Sequence, residues 1–317
     1  EPLGCLSSRA YTRPMTRRVA LVHHWLVRRR GGERVLDVLS RLLPGATLFT
    51  LVHDPVRCPA PAEVTRVVTS GLQRVPGLRR GGFRALAPLL ARFYGGLDLS
   101  GHDLVVSSDA ALAKTVRVPP GVPHLCLCYS PPRWAWDLSE TYLERSVPWA
   151  LRPLARAGLW SVRRDDARGA AGVTRFVAIS EYVARRIERA YGRPADVVYP
   201  PVDTAFFSPA ASRDAAQAAF AAVLDDLAAE HPLEATGDLS GARRVAGLEQ
   251  TEAERPYLVL GEAVAYKRFE DAVDACARLD RPLVVAGGGP RWASLLRRAG
   301  PRTRFVPRPT DAQVRDL

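Results

Sequence analysis

Apolar residues follow two alternating rhythms along this chain: short unbroken runs, then stretches in which they return every three or four positions. Arg18 to Trp25 reads as a short buried strand, and the glycine pair Gly31-Gly32 leads from it into a helix with Val35, Leu36, Val38, Leu39 and Leu42 at helical spacing. A second strand is predicted around Thr47 to Val52, a helical region across Phe83 to Tyr94, and a strand over Asp103 to Ser107 that ends in a turn of small residues. After the apolar strand His124 to Tyr129 comes Pro131-Pro132-Arg133-Trp134-Ala135-Trp136-Asp137, a loop at a strand's end, because proline restricts both itself and its predecessor. Arg175 to Ile179 is a further strand. Ser180 then offers an N-cap to the helix Glu181 to Tyr191, which stops at Gly192, and Val197 to Tyr199 leads into Pro200-Pro201-Val202-Asp203.

From about Ala210 to Arg255 the composition shifts to alanine with acidic residues, which predicts a helix over Asp214 to Ala229 and then a polar linker without strand signals. A second strand-helix pattern begins at Tyr257 to Gly261, passes through a helix Glu270 to Leu279, and returns at Leu283 to Ala286 with Gly287-Gly288-Gly289-Pro290. It reaches a short strand near Arg304 to Val306 and a last helix from Asp311 to Leu317. Strands alternating with helices predict an α/β protein with two Rossmann-like, doubly wound parallel-sheet domains, the second incomplete. The expected boundaries are a flexible tail over 1–14, ahead of the only methionine, Met15, read as the natural start; an N-terminal domain over 15–207; an alanine-rich linker over 208–255; and a C-terminal domain over 256–317. That last domain is expected to be truncated, since three strands with one closing helix make a poor independent core.

With 317 residues, 47% hydrophobic and 25% charged, the composition is that of a globular protein. No apolar run approaches the roughly 20 residues of a membrane span, and no charged-then-apolar leader opens the chain, so a soluble cytoplasmic protein is expected. Cys126 and Cys128 alternate along one strand face while Cys5, Cys58 and Cys276 are scattered, a pattern with neither disulfide nor metal-ligand spacing; no metal site is expected. The net charge of +12 asks for an anionic partner. Its arginines are spread along the chain and form no aromatic-interleaved cluster, so no nucleic-acid partner is expected, and a phosphorylated substrate or an anionic membrane surface serves as well. Arginine richness beside so much alanine is also consistent with composition alone.

In open parallel sheets ligands bind beyond the carboxyl ends of strands, where glycine loops let backbone N–H groups approach phosphate. Gly31-Gly32 occupies such a position. Neither this pair nor Gly287-Gly288-Gly289 makes a G-x-G-x-x-G fingerprint, and no G-K-[ST] follows, which argues against hydride transfer and P-loop chemistry; each cluster alone also fits a simple turn. Lys267-Arg268 opens a helix just after a strand, where two cations can meet a diphosphate or merely stay solvated. Trp134 and Trp136 can stack on a sugar or close the core. His23 and His24 point to opposite faces if their strand continues.

Val19-Ala20-Leu21-Val22-His23-His24-Trp25-Leu26 with Gly31-Gly32-Glu33-Arg34-Val35-Leu36 resembles the opening of the bacterial glycosyltransferase family 4 (group 1) enzymes. Asp103 to Ser108, Ala113-Lys114, Pro131 to Asp137, Ser180 to Ile187, Tyr199 to Asp203 and Ala265-Tyr266-Lys267-Arg268 follow in the order shown by mannosyltransferase-like members. The resemblance implies a GT-B fold and a nucleotide-sugar co-substrate, commonly GDP-mannose, with no cofactor or metal, and transfer with retained anomeric configuration. It places Gly31 and Gly32 near the donor diphosphate, with Lys267 and Arg268 against the leaving group. On the acceptor side it places Arg133, Trp134, Trp136 and Asp137, and it makes Tyr129 the candidate catalytic residue. Four departures stand out. Glu262 replaces the arginine usual shortly before the lysine, His24 replaces an aspartate, Tyr129 replaces a frequent histidine, and no E-x7-E region occurs before Leu317. The expectation is a transferase moving a hexose, mannose by the resemblance, to a lipid-linked or saccharide acceptor at the inner face of the cell membrane, with this chain weak or inactive. The alternatives are a noncatalytic glycosyltransferase-like binding protein and, behind it, a basic nucleic-acid-binding protein.

Overall fold

The computed structural model describes residues 17–75, 77, 82–209, 215, 218–219, 222–223 and 256–317. The expected tail 1–14 and nearly all of the predicted helix Asp214–Ala229 and its linker lie outside the described residues. The chain divides into two compact units, Glu1–Pro201 and Val202–Leu317.

The first unit is built on seven parallel strands: β1 (Val19–His23), β2 (Thr47–Thr50), β3 (Arg66–Thr69), β4 (Leu104–Asp109), β5 (His124–Cys128), β6 (Arg175–Ala178) and β7 (Ala195–Val197), in the order β3-β2-β1-β4-β5-β6-β7. All five residues of β1 are buried, as the unbroken apolar run requires of a strand covered on both faces. The chain winds outward from β1 to β3 and then returns to lay β4 on the other side of β1, with His23 opposite Ser108. That reversal makes the carboxyl ends of β1 and β4 a topological switch point, the place where open parallel sheets leave a crevice.

The helices are α1 (Gly31–Leu42), α2 (Leu90–Gly95), α3 (Ser139–Ser146), α4 (Arg152–Ala171) and α5 (Glu181–Tyr191). α5 begins and ends as expected, with the Ser180 hydroxyl accepting from the Val183 N–H at 3.2 Å and Gly192 left-handed at φ +64°. The helical region predicted over Phe83–Tyr94 resolves into a 3-10 stretch, Gly82–Leu89, followed by α2, since Pro88 lacks an N–H to continue an α ladder. β3, α3 and the 20-residue α4 have no counterpart in the sequence reading. β7, likewise without a counterpart there, ends at Val197 ahead of the two prolines.

The second unit carries β8 (Tyr257–Glu262), β9 (Leu283–Gly288) and β10 (Thr303–Pro307), all parallel in the order β10-β9-β8, with α6 (Phe269–Arg278), α7 (Trp292–Leu296) and α8 (Asp311–Asp316). Here the glycines are steric necessities: Gly287 sits at φ +141°, and a Cβ on it would lie 1.8 Å from the Gly261 carbonyl oxygen. The four described cysteines, Cys58, Cys126, Cys128 and Cys276, are buried free thiols.

Candidate functional site

The pleat of β4 sends its last two residues to opposite faces of the sheet, Ser108 into one hydrogen-bond network and Asp109 into another. β1 ends at His23, and the turn that follows does not carry the alternation on. His23 and His24 therefore converge, the condition for opposed side chains, a continuing strand, not being met, with ring centroids 4.0 Å apart and Nε2 atoms 3.5 and 3.9 Å from the Glu33 carboxylate. Glu33 is in the first turn of α1, and its other oxygen accepts the Arg30 backbone N–H at 2.9 Å.

The first network is one chain of contacts: the Tyr129 hydroxyl lies 3.2 Å from the Gly32 carbonyl and 2.8 Å from the Ser108 hydroxyl, Ser108 lies 2.9 Å from His23 Nδ1, and His23 Nε2 lies 3.5 Å from Glu33. The ring proton of His23 on Nε2 donates to the Glu33 carboxylate and leaves Nδ1 to accept the Ser108 hydroxyl. Burial works to raise the Glu33 carboxyl, but the hydrogen bond from His23 outweighs it and holds the group below its ordinary value. Burial first, and His23 second, push His24 down to about 3, so that ring is neutral. Burial raises the Tyr129 phenol far above neutrality, which makes this residue a hydrogen-bond donor and not a base. Among the described residues His23, His24 and Glu33 are also the one group of metal-ligating types whose donor atoms lie within 4.8 Å of one another.

The second network is sealed. Lys114, fully buried, donates to Asp109 at 3.0 Å, to the Ala111 carbonyl at 3.4 Å and to Asp166. Asp109 also accepts the backbone N–H groups of Ala111 and Ala113 at 2.8 and 3.0 Å; Asp166 accepts the Trp136 indole N–H and the Tyr191 hydroxyl, both at 2.8 Å. Burial opposes both carboxylates. The ammonium and two backbone donors bring Asp109 below its usual range, whereas Asp166 stays raised. Burial likewise opposes the ammonium, and the two carboxylates outweigh it and hold Lys114 well above the ordinary lysine value.

The predicted acceptor-side residues divide accordingly. Trp136 has its polar atom committed to Asp166, and Asp137 pairs with Arg186 at 2.5 Å. Trp134 is half-buried against the core, and Arg133 is exposed. The predicted donor residues fall in different units. A Cβ on Gly32 would meet the rings of Tyr129, His24 and His23 at 3.5, 3.7 and 3.8 Å, while one on Gly31 would meet nothing within 4 Å. In the second unit Lys267 is exposed, with its Nζ 2.9 Å from where a Gly261 Cβ would stand. Arg268 pairs with Asp271 at 2.7 Å, and the Glu262 side chain lies 3.1 Å from a Cβ position on Gly289. Sequence reading did not single out Ser108, Glu33, Lys114 or Asp166 as members of a network. Only the charged residues inside apolar context at Asp109 and Lys114 offered a signal.

The family model of Glycosyltransferase Family 4 matches residues 29–206, more than half of the chain. Anabaena Alr3699/HepE, solved in complex with UDP and glucose, is similar at a TM-score of 0.51 with 14% identity, over 93% of this chain and 71% of that one. The lipopolysaccharide outer core galactosyltransferase WaaB, in its apo form, is similar at a TM-score of 0.46 with 14% identity, over 92% of this chain and 68% of that one. At such identities the likeness is one of fold, that of the GT-B glycosyltransferases. No curated protein sequence matches this chain.

Proposed function

The chain belongs to Glycosyltransferase Family 4, and from that premise we propose that it transfers a hexose from a nucleotide sugar, with GDP-mannose the first donor to test, onto a hydroxyl of a lipid-linked or saccharide acceptor. In this reading the acceptor oxygen bonds to the anomeric carbon as the carbon–oxygen bond to the nucleoside diphosphate breaks. The electron pair leaves with the diphosphate, the acceptor proton follows it, and configuration is retained without a metal. Lys267 is the cation assigned to the developing charge on the leaving phosphate, where a fixed positive group lowers the barrier.

The observation that carries the reading is the first network, from Gly32 through Tyr129, Ser108 and His23 to Glu33, at the switch point of the sheet and inside the family-matched region. It fixes a phenol, two imidazoles and a carboxylate beside the opening of α1, and Gly31 leaves that opening clear. Such an edge suits the binding and orientation of sugar hydroxyls. A noncatalytic sugar-nucleotide-binding role is the second reading, favoured by Glu262, an anion beside the second unit's glycine turn.

The test is release of nucleoside diphosphate from GDP-mannose, UDP-glucose and UDP-galactose, with and without a polyprenyl diphosphate-linked sugar. Acceptor-dependent release from one donor is expected, falling on the order of 100-fold in Lys267→Ala. Saturable binding without turnover, with turnover appearing in Glu262→Arg, favours the second reading. A folded chain that neither binds nor turns over any donor sinks both.

A further inference from the structure

α4 is longer than the sheet it covers. Its 20 residues span about 30 Å, whereas the neighbouring β5 and β6 have 5 and 4 residues. The helix runs from the carboxyl edge, where β5 ends, to the amino edge, where β6 begins. Asp166, near its end, is tied through Lys114 to Asp109, the last residue of β4. Val162 and Leu159 still pack against the core, so the turns before them extend past the carboxyl edge, the edge that carries His23, Tyr129 and Gly31.

The overhanging part is apolar where a soluble surface should be polar. Trp149 and Leu151, in the turn that enters the helix, are 80% and 54% exposed, and Leu154 and Trp160 are 74% and 62% exposed. Pro153 and Ala157, between them, are exposed as well. Further along, the Arg164 guanidinium lies 5.2 Å over the Trp160 ring, and Arg168 follows one turn later. Of the acidic groups facing this segment, Glu140 pairs with Arg156 at 2.8 Å, Asp165 lies 3.7 Å from Arg164 and 3.6 Å from Arg168, Asp166 is buried, and Glu144 is exposed near Arg156; the arginines Arg152, Arg156, Arg163, Arg164 and Arg168 outnumber them. The result is an exposed apolar strip with a cationic flank. An anionic bilayer surface suits both halves, since tryptophan and leucine settle at the headgroup boundary while arginines reach the lipid phosphates. Among the described residues no helix is long and apolar enough to cross a membrane.

We infer that the turn Trp149–Leu151 and the first half of α4 form a membrane-docking tip for anionic lipid, which sets the carboxyl edge of the first unit against the bilayer. The inference deepens the reading of a lipid-linked acceptor and rests on it for its purpose, though the surface stands by itself.

The experiment is sedimentation of the full chain with vesicles of phosphatidylcholine alone or with about one-third phosphatidylglycerol, without any sugar donor. Binding is expected to favour the anionic vesicles and to fall roughly tenfold in the triple variant Trp149→Ser, Leu151→Ser, Leu154→Ser. Arg164→Glu with Arg168→Glu should abolish the preference for phosphatidylglycerol. Binding by the triple variant within about twofold of the parent overturns the inference. So does a parent that binds neither vesicle, or one that is a dimer which the triple variant dissociates without any change in vesicle binding. Transfer to a water-soluble acceptor reports on the transferase reading alone. Loss of vesicle binding with that transfer retained supports the tip, and loss of transfer in the parent leaves the vesicle result standing.

Discussion

Ser108 and Asp109 are neighbours on β4, yet their networks have opposite characters. Asp109 joins a closed group in which one ammonium, two carboxylates, an indole, a phenol and two backbone donors meet one another's needs. Ser108 joins an open-ended chain that runs from a backbone carbonyl to a contact between an imidazole and a carboxylate, beside a helix N-terminus that faces open space at Gly31. A closed network of buried charge specifies a fold; an open chain of donors and acceptors can act on something that arrives. The same two residues of strand thus separate what holds β4, β5, α4 and α5 together from what can contact a substrate.

The largest expected effect lies on the closed side. Lys114→Met leaves two buried carboxylates without their cation and should lower stability by about 3–5 kcal/mol, read by denaturant unfolding. Lys114→Met combined with Asp166→Asn should recover part of that loss. If the single variant melts with the parent, the group is not sealed and the contrast fails.

Acid comes next, and it reaches both sides. His24 is held down to about 3 and His124, whose Nε2 bonds Ser107 at 2.8 Å, to about 4, burial being the first cause in each case. With folded values depressed below an unfolded value of 6.5, the unfolded chain takes up protons that the folded chain refuses. Stability is therefore complete above pH 6.5 and falls as pH drops through that value toward 4. Between pH 6.5 and 5 each ring should cost about 2 kcal/mol. His124→Gln should remove its share of that slope, and a melting temperature that stays flat from pH 7 to 5 would contradict the burial of both.

Smaller again is Tyr129→Phe. It removes one hydroxyl from the open chain, costs about 1 kcal/mol, and should lower kcat/KM at least about tenfold if the chain positions the acceptor. Because the phenol stays protonated, the pH–rate profile should keep its shape; loss of a limb would make Tyr129 an acid or base after all.

The difference between the two networks also explains what the sequence could say. The central strands of the first unit were legible because burial on both faces writes them as unbroken apolar runs, whereas the less buried outer strands β3 and β7 were not; α5 was legible because Ser180 and Gly192 punctuate it. α4 was not legible: its buried residues Val162, Asp166 and Ala170 include a charge that is apolar only in company, and arginine, alanine and glycine blur the rest. Asp166 went unseen with it, and Trp136 and Lys114 lost the partner that gives them structural roles. In the open network Gly32, Tyr129 and the two histidines were visible but Ser108, Glu33 and the geometry were not, since whether His23 and His24 diverge or converge depends on a strand that ends at His23, two residues before the predicted end at Trp25.

The smallest effect separates two adjacent glycines that share one predicted role. A methyl on Gly32 would point among Tyr129, His24 and His23 at 3.5 to 3.8 Å, ordinary contact distances, whereas a methyl on Gly31 would point into open space. Neither residue has a positive φ, so alanine strains neither backbone. Both Gly31→Ala and Gly32→Ala should therefore change stability by less than about 0.5 kcal/mol. Their kinetics should differ. A Gly31 methyl stands where a donor or acceptor must approach and should raise KM with kcat unchanged, while a Gly32 methyl touches only the hydrogen-bonded chain and should change kcat with KM unchanged. Equal effects of the two substitutions would mean that the ligand reaches both glycines or neither, and the boundary between the fold-holding and the substrate-facing sides would have to be redrawn around α1.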